Sequence, residues 1–422
     1  MLPKRIKNLQ KIDARIKIPG SKSITNRAFV IAALANGKSV IHDILESDDT
    51  EYLLNALSHC GIPFNRKPGI VEITGKNGNF QPYSQEIFIG NAGTTMRFLT
   101  SLLIFGTGEY HITCDERMKE RPIDDLTEAL NQLGAHIDYV EKKGYPPLKI
   151  HGKKPDGGVI SISGKKSSQF ITSLLLIAPL LKHGLEINIL DELVSQPYID
   201  TTLQVMKDFG AAVENVDYKK FFIHGMQNYR PQEYFVQGDA SSASYFLALP
   251  AITGGKIVIE NLGTTCNQGD IYFANLLEKM GAQVKITEKS TEVFCDGRLK
   301  GIRCDLNSTP DIVQTLAMCA LFAEGETLIE NVGNLRIKET DRLAALENEL
   351  KKIGASVSTG ESWIKIVPQK NYQPATIKTY NDHRMAMCFA IAGTKIDGIT
   401  IEDPHVVSKS FPNFWELLET LY

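Results

Sequence analysis

The chain has 422 residues, of which 43% are hydrophobic and 23% charged, and its formal net charge at pH 7 is -3. Its length predicts two large domains, and its composition excludes disordered and fibrous proteins. The small net charge gives no reason to expect nucleic acid or a membrane surface as a partner.

The N-terminal residues and the cysteines indicate where the protein works. The first twenty residues include basic side chains but lack the continuous apolar stretch of a secretory signal. The longest apolar run, 170–181, is interrupted by polar residues and is too short to cross a bilayer. The seven cysteines form no Cys-x-x-Cys pair and do not cluster with the nine histidines. We therefore expect a cytoplasmic protein with reduced structural thiols and no structural zinc.

One pattern returns six times along the chain. In each copy an apolar helix is predicted to close at a glycine, namely Gly37, Gly108, Gly184, Gly255, Gly325 and Gly398. Successive glycines are 71, 76, 71, 70 and 73 residues apart, which indicates six copies of one structural unit. A short β-branched strand follows each glycine, and in five copies an amphipathic helix and a hairpin come next.

Six βαβ-type units are hard to place in one sheet, so the repeats predict two similar domains of three units each. We expect residues 1–19 plus 238–422 in one domain, residues 20–237 in the other, and the active site in the cleft between them. The sixth copy lacks its last strands, which residues 5–18 could supply. A linear solenoid of repeats is the alternative.

Small, polar or charged residues precede the first helix of each copy. They occupy 20–27, 90–97, 166–169, 238–244, 307–311 and 380–384. Ordinary helix capping explains such residues, and we prefer it for 238–244. Elsewhere, Lys22, Arg27, His383 and Arg384 oppose the helix dipole unless an anion binds there, so they predict phosphate or carboxylate sites.

Further charges lie at strand-to-helix turns, at 117–122, 336–342 and 408–409. Lys338 and Arg342 are four residues apart and are predicted to share a helical face, with a solvated ion-pair surface as the alternative. Nucleotide-binding fingerprints, a Ser-His-Asp order and metal-ligand clusters are not evident. The residues themselves thus predict a two-domain enzyme that binds a multiply anionic small substrate.

At these residues the chain closely resembles the EPSP synthases, a family of enolpyruvyl transferases, over nearly its whole length. The matching stretches, in order, are PGSKSITNRA, GNAGTTMR, RMKERPI, YPPL, SSQF, LVSQPYID, GDASSASYF, QGDI, IKETDRL, NDHRMAM and SKSFPNF. The resemblance implies a mixed α/β fold of two similar domains, each with three βαβαββ repeats around buried helices, an inside-out α/β barrel.

The resemblance also implies a reaction. The enolpyruvyl (carboxyvinyl) group of phosphoenolpyruvate is transferred to the 5-hydroxyl of shikimate 3-phosphate and phosphate is released, in the shikimate pathway to chorismate and aromatic amino acids. We expect no cofactor, no metal, no nucleic-acid or membrane partner, and a monomer.

The matching motifs imply the site residues. Shikimate 3-phosphate contacts are expected from Lys22, Ser23, Arg27, Ser167, Ser168, Gln169, Ser195, Tyr198, Asp311, Asn334 and Lys338. Phosphoenolpyruvate contacts are expected from Lys22, Asn91, Gly93, Thr94, Arg121, Gln169, Arg342, His383, Arg384 and Lys409. Asp311 is the expected base for the hydroxyl, and Glu339 with Lys22 is expected to move the methylene proton. Because Gly93 lacks a Cβ, we expect room beside phosphoenolpyruvate and inhibition by glyphosate.

Three rival functions stay open. The sister transferase that uses UDP-N-acetylglucosamine carries a reactive Cys or Asp at the position of Glu116, and we interpret the nearby Cys114 as structural. RNA 3'-phosphate cyclase is built on related repeats but needs a nucleotide-accepting histidine and a basic face, neither of which is evident. The third is a catalytically inactive relative that only binds anions. The presence of Lys22, Asp311 and Glu339 argues against it.

Overall fold

The structure is a computed structural model that describes residues 2–422. The chain divides into two compact units: the first contains the residues up to Pro19 together with Gln237–Tyr422, and the second contains Gly20–Val236. Gln237, which the sequence places with 20–236, lies in the first unit, where its Nε2 donates to the Thr265 carbonyl over 3.0 Å. No helix within residues 2–422 combines the length and the apolar character that a membrane span requires.

The helices of the described chain are α1 (Lys22–Leu34), α2 (Asp48–His59), α3 (Gly93–Leu102), α4 (Glu116–Lys119), α5 (Asp124–Gln132), α6 (Ser168–Ile177), α7 (Gln196–Asp208), α8 (Ala240–Thr253), α9 (Tyr272–Lys279), α10 (Val313–Ala320), α11 (Arg342–Lys352), α12 (His383–Gly393) and α13 (Phe414–Glu419). The strands are β1 (Lys4–Arg5), β2 (Ile12–Ile16), β3 (Asn36–His42), β4 (Phe64–Lys67), β5 (Ile70–Lys76), β6 (Glu86–Phe88), β7 (Glu109–Thr113), β8 (His136–Tyr139), β9 (Leu148–His151), β10 (Gly158–Ile162), β11 (Leu185–Ile189), β12 (Glu214–Val216), β13 (Lys220–Ile223), β14 (Glu233–Phe235), β15 (Gly255–Ile259), β16 (Gln283–Ile286), β17 (Thr291–Cys295), β18 (Leu299–Lys300), β19 (Arg303–Asp305), β20 (Ala323–Glu324), β21 (Thr327–Glu330), β22 (Ser356–Thr359), β23 (Ile364–Val367), β24 (Ala375–Ile377) and β25 (Ile399–Ile401).

Each repeat builds one small sheet of the same design. The second unit has the strand orders β14-β3-β5-β4, β6-β7-β9-β8 and β10-β11-β13-β12, and the first unit has β16-β17-β15-β2, β19-β21-β23-β22 and β1-β25-β24, with β18-β20 as a two-stranded pair. In the second repeat, for example, β6 runs parallel to β7, which pairs antiparallel with β9 of the β8-β9 hairpin. A parallel pair needs a crossover, and α3 supplies it between β6 and β7.

Two edge strands belong to a different sheet from the one that chain order suggests. β2 precedes α1 along the chain but pairs parallel with β15, while β14 precedes α8 but pairs parallel with β3. The N-terminal segment therefore completes the first unit in two places. β1 pairs antiparallel with β25 and supplies a strand that the sixth repeat lacks, as the sequence suggests, whereas β2 completes the fourth repeat.

Each unit has its own continuous apolar core. In the second unit α3 and α6 pack together and α1 packs on α6, while in the first unit α8, α10 and α12 pack pairwise. These six helices are buried around almost their whole circumference, because apolar residues occupy every face. α1 ends at Leu34, before the predicted Gly37, because Asn36 already begins β3.

Candidate active site

The buried helices of the second unit begin without acidic residues. The first turns of α1, α3 and α6 contain neither Asp nor Glu, whereas α2 and α5 start with Asp48, Asp49 and with Asp124, Asp125. α3 also lacks a side-chain cap. No acidic side chain therefore offsets the positive partial charge at these three helix starts, although Ser21 and Ser167 each cap one N–H group, of α1 and α6 respectively.

Lys22, the first residue of α1, is held by a carboxylate of α2. Its Nζ lies 3.3 Å from Oδ2 of Asp49, and the lysine side chain keeps 16% of its surface exposed while Asp49 keeps 3%. Sequence reasoning missed Asp49, which looks like an ordinary acidic residue in the first turn of a helix. The pairing keeps the ammonium at the start of α1 and leaves part of it accessible.

Arg121 lies directly over Gly93. Its Nη1 donates to Oδ1 of Asn91 over 3.2 Å, and a Cβ added at Gly93 would stand 2.6 Å from Nη2. The guanidinium of Arg121 thus fills the space left by the missing Cβ. The expectation that this space gives room beside phosphoenolpyruvate is corrected accordingly. Nearby, Nε2 of Gln169 donates to Oγ1 of Thr94 over 3.1 Å and ties the start of α6 to that of α3.

Arg27 connects three helices. Its Nε donates to Oγ1 of Thr202 over 2.8 Å and its Nη2 to Oγ1 of Thr172 and the Tyr198 carbonyl over 3.4 and 3.1 Å. A further bond of 2.8 Å from Nη1 reaches the Ser23 carbonyl, so four of the five guanidinium N–H groups bind protein and one is left for a ligand. Burial lowers the pKa of Arg27 to about 10, which keeps it charged at neutral pH.

Three serines stand at the starts of the helices that Arg27 joins. Oγ of Ser167 accepts from the Gln169 amide over 3.2 Å and caps α6, which Ser168 begins. Ser195, just before α7, has a left-handed backbone with φ of 57°. A non-glycine residue in that region costs of order 1–3 kcal/mol, and such strain clusters at functional sites. Tyr198, in the first turn of α7, is half-buried.

In the first unit, three carboxylates surround one buried arginine. Arg342 is 1% exposed, and its guanidinium donates to Asp382 over 2.7 Å, to Glu339 over 2.8 Å and to Asp311 over 3.2 Å. Burial alone would lower the pKa of Arg342, but the three carboxylates outweigh burial and raise it. The arginine is therefore permanently charged and fixes the relative positions of the three acids.

Asp311 lies between two arginines. Its Oδ1 accepts from Arg342, and its Oδ2 accepts from Nη2 of Arg384 over 2.8 Å. Burial favours a raised pKa for this carboxyl, yet the positive charges of Arg384, Lys338 and Arg342 prevail and hold the pKa well below its usual range. The Asp311 side chain is 20% exposed, so an ionised carboxylate remains within reach of a ligand.

A strained turn delivers Asp382 and Arg384 to this cluster. Tyr380 and Asn381 both have left-handed backbones, with φ of 55° and 54°, and the Tyr380 hydroxyl donates to Oε1 of buried Glu349 over 2.7 Å. Oδ1 of Asp382 then caps α12 by accepting from the Arg384 amide over 2.9 Å. His383 is 1% exposed, with its Nδ1 3.7 Å from Asp382, so it is enclosed by protein at the start of α12.

The segment before α11 differs from its prediction. Lys338 follows a 3₁₀ turn over Gly333–Ile337 in extended backbone, and α11 begins only at Arg342. The prediction that Lys338 and Arg342 share a helical face is therefore wrong, because Asp341 caps the helix between them by accepting from the Ala344 amide over 3.0 Å.

Asn334 and Lys409 lie in two 3₁₀ segments of the first unit. Asn334 is half-buried, and its Oδ1 is enclosed with no hydrogen-bond partner among residues 2–422. Half-buried Lys409 ends the 3₁₀ segment Pro404–Lys409, which packs on α12.

The interpretation of 238–244 as ordinary helix capping is confirmed, since Asp239 caps α8 by accepting from the Ser242 amide over 2.7 Å.

Sequence reasoning found most of the cations but few of their partners. The partners it missed are Asp49, Thr172, Thr202, Tyr245 and Asp382. Asp382 stood within the noted cluster 380–384, and its position before α12 was a usable signal. The hydroxyl of Tyr245, which accepts from Nη1 of Arg384 over 3.2 Å, lies on α8, within the matching stretch GDASSASYF, whose residues 238–244 we interpret as ordinary capping.

Cys114 lies 8% exposed, and burial raises the pKa of its thiol to about 11. A reactive cysteine needs a lowered pKa, so this thiol is unsuited to act as a nucleophile. All seven cysteines are free of disulfides.

Comparisons with known proteins agree on one family. The family model for EPSP synthase (3-phosphoshikimate 1-carboxyvinyltransferase) matches residues 6–418. A 3-phosphoshikimate 1-carboxyvinyltransferase of Sulfurovum sp. is 47% identical over 420 residues, covering 99% of this chain and 98% of the relative, and that of Proteus mirabilis is 47% identical over 415 residues, covering 97% and 96%. The solved EPSP synthase of Acinetobacter baumannii superposes with a TM-score of 0.82 at 26% identity, covering 100% of this chain and 98% of that one.

Proposed function

Because the chain belongs to the EPSP synthase (3-phosphoshikimate 1-carboxyvinyltransferase) family, we propose that charged residues of both its units bind one pair of substrates. The chain is a transferase that moves the carboxyvinyl group of phosphoenolpyruvate to the 5-hydroxyl of shikimate 3-phosphate and releases phosphate. The observation that carries the site assignment is the Asp311 carboxylate fixed between Arg342 and Arg384, with Glu339 on the same arginine.

The two substrates together bring two phosphates and two carboxylates into one pocket, and a dense set of cations has to offset their repulsion. We assign Lys22, Arg121, Arg342, Arg384 and Lys409 to phosphoenolpyruvate. Shikimate 3-phosphate is assigned to residues at the starts of α1, α6 and α7 and beside Asp311, namely Ser23, Arg27, Ser167, Ser168, Gln169, Ser195, Tyr198, Asn334 and Lys338. The starts of α1, α3 and α6, which contain no acidic side chain, support this assignment, since phosphates bind at helix N-termini.

Asp311 acts on the 5-hydroxyl in this scheme. Without substrate, its lowered pKa makes it a weak base. Anionic substrates that bind Arg342 and Arg384 neutralise the charges that lower this pKa, so binding raises it and strengthens the base. Asp311 thereby becomes competent to take the hydroxyl proton only when both reactants are present.

Glu339 and Lys22 transfer the proton to and from the phosphoenolpyruvate methylene in this scheme. Protonation of the phosphoenolpyruvate methylene leaves a cation-like carbon, to which the 5-oxygen forms a new bond. The resulting tetrahedral adduct then loses phosphate by cleavage of its C–O bond, and the methyl group returns a proton to restore the double bond. Glu339, 9% exposed and bonded to Arg342, is the group that gives and retrieves this proton, with Lys22 assisting.

Binding measurements test whether both units serve one site. We expect Lys22→Met in the second unit and Arg384→Met in the first each to weaken phosphoenolpyruvate binding, in the presence of shikimate 3-phosphate, by about 10- to 100-fold, the value of one charge-assisted contact. Lys38→Met is the matched control, because Lys38 forms an exposed pair with Glu72. The shared site is refuted if one of the two variants binds like the control.

A second candidate acceptor, UDP-N-acetylglucosamine, is disfavoured by Glu116 and by the buried, high-pKa thiol of Cys114. We also propose that the protein acts in the cytoplasm as a monomer, with no cofactor. Sedimentation measured with and without both substrates tests the monomer, and a stable dimer would refute it.

A further inference from the structure

A group of histidines and carboxylates lies on an exposed sheet of the second unit, on residues that the transferase reaction does not use. His136 of β8 stands directly opposite His151 of β9, and their rings stack with centroids 4.3 Å apart. Asp138, two residues after His136 and so on the same face of the strand, reaches both imidazoles. Its two oxygens lie 3.3 Å from Nε2 of His136 and 2.9 Å from Nε2 of His151.

A fourth residue orients the ring of His151. Glu109 is the cross-strand partner of His151 on β7, and its Oε1 lies 3.1 Å from Nδ1 of His151. A carboxylate that holds the Nδ1 proton leaves Nε2 as the free donor atom, which is the arrangement that supports metal-bound histidines. Lys149, paired with the other oxygen of Glu109 over 2.7 Å, keeps that carboxylate ionised.

We propose that His136, Asp138 and His151 form a surface site for a late first-row divalent cation such as Zn²⁺. The three candidate ligand atoms lie within 4.8 Å of one another. A tetrahedral ion with bonds of about 2.0–2.1 Å needs ligand atoms about 3.4 Å apart. The side chains of His136 and Asp138 are 68% and 51% exposed, so rotation can close that difference. Two imidazoles and one carboxylate suit zinc, nickel or copper, and the fourth position stays open to water.

The pairing of the strands, not a local sequence motif, assembles this group. The sequence alone shows no metal-ligand cluster at this place. His136 and His151 are fifteen residues apart, and only the register of the β8-β9 hairpin makes them neighbours.

Calorimetric titration of the full-length chain with ZnCl₂ at pH 7.5 tests the site. We expect one zinc per chain, and loss of that binding in His136→Ala, Asp138→Asn and His151→Ala. Glu109→Gln should weaken binding by about 10- to 100-fold, as expected for a group that orients a ligand. His59→Ala, which removes an exposed histidine stacked on Tyr83 in the same unit, should bind like the unaltered chain.

Turnover checks that the variants are folded, because none of these residues belongs to the proposed substrate site. The inference is overturned if the unaltered chain binds no zinc at tens of micromolar, or if His136→Ala and His151→Ala bind it unchanged.

Discussion

Replacing Gly93 with alanine disturbs the proposed phosphoenolpyruvate site through one identifiable contact. The new Cβ would stand 2.6 Å from Nη2 and 2.7 Å from Nη1 of Arg121, whereas ordinary contact begins near 3.4 Å. The guanidinium must therefore move by roughly the difference between 3.4 and 2.6, about 0.8 Å. Gly93 is the first residue of α3, where alanine fits the backbone, so we expect the fold to be kept.

The magnitude follows from what Arg121 does. A misplacement of about 1 Å in a group that positions a substrate can lower the rate about 100-fold, equivalent to about 2.7 kcal/mol. Because Arg121 is proposed to bind phosphoenolpyruvate in both the ground state and the transition state, most of the loss should appear as a higher KM for this substrate.

A double-mutant cycle tests whether Gly93→Ala acts by displacing Arg121. kcat/KM for phosphoenolpyruvate is measured for the unaltered chain, Gly93→Ala, Arg121→Ala and the double variant. If the alanine acts by displacing Arg121, it should cost little more once Arg121 has been removed. The reasoning fails if Gly93→Ala stays within twofold of the unaltered chain, or if its cost is undiminished in the Arg121→Ala background.

Three further predictions concern stability, catalysis and inhibition. Asp382→Asn should lower the free energy of unfolding of the first unit by about 3–5 kcal/mol, because it removes one of the negative charges that pair with the buried Arg342. Asp397→Asn is the control, since Asp397 belongs to an exposed ion pair, and it should lower that free energy by under about 1 kcal/mol. Urea unfolding followed by tryptophan fluorescence measures both, since both tryptophans lie in the first unit. Asp311→Asn and Glu339→Gln should each reduce turnover at least about 100-fold, and near-normal turnover in both would disprove their roles. Glyphosate should inhibit by competing with phosphoenolpyruvate, and unchanged activity in millimolar glyphosate at low phosphoenolpyruvate would contradict this.

The repeat architecture was predictable because each copy carries its own apolar helix, strand and glycine, all set by local sequence. The exchange of the edge strands β2 and β14 between sheets was harder to predict from the sequence. β14 has only three residues and β2 five, and β2 pairs with a strand more than two hundred residues away, as in Ile12 opposite Gly255. Nothing local specifies that pairing, which depends on how the units close their sheets.

The sequence predicts the cations of the candidate site and two of the acids that hold them, Asp311 and Glu339, but not Asp49 or Asp382. Lys22 is conspicuous because positive charge is unexpected at a helix start, and Arg342 because it lies in a charged strand-to-helix turn, four residues after Lys338. Their partners Asp49 and Asp382 sit at helix starts where acids are ordinary. The spacing of four residues predicts a helix that contains both Lys338 and Arg342, whereas the cap by Asp341 delays the start of the helix to Arg342.

The most direct measurement of the central claim is phosphate release from phosphoenolpyruvate with shikimate 3-phosphate as acceptor, run beside the same mixture containing UDP-N-acetylglucosamine. Rapid release with the first acceptor and none above background with the second is the predicted result. Release with the second acceptor alone, or with neither, would contradict the account.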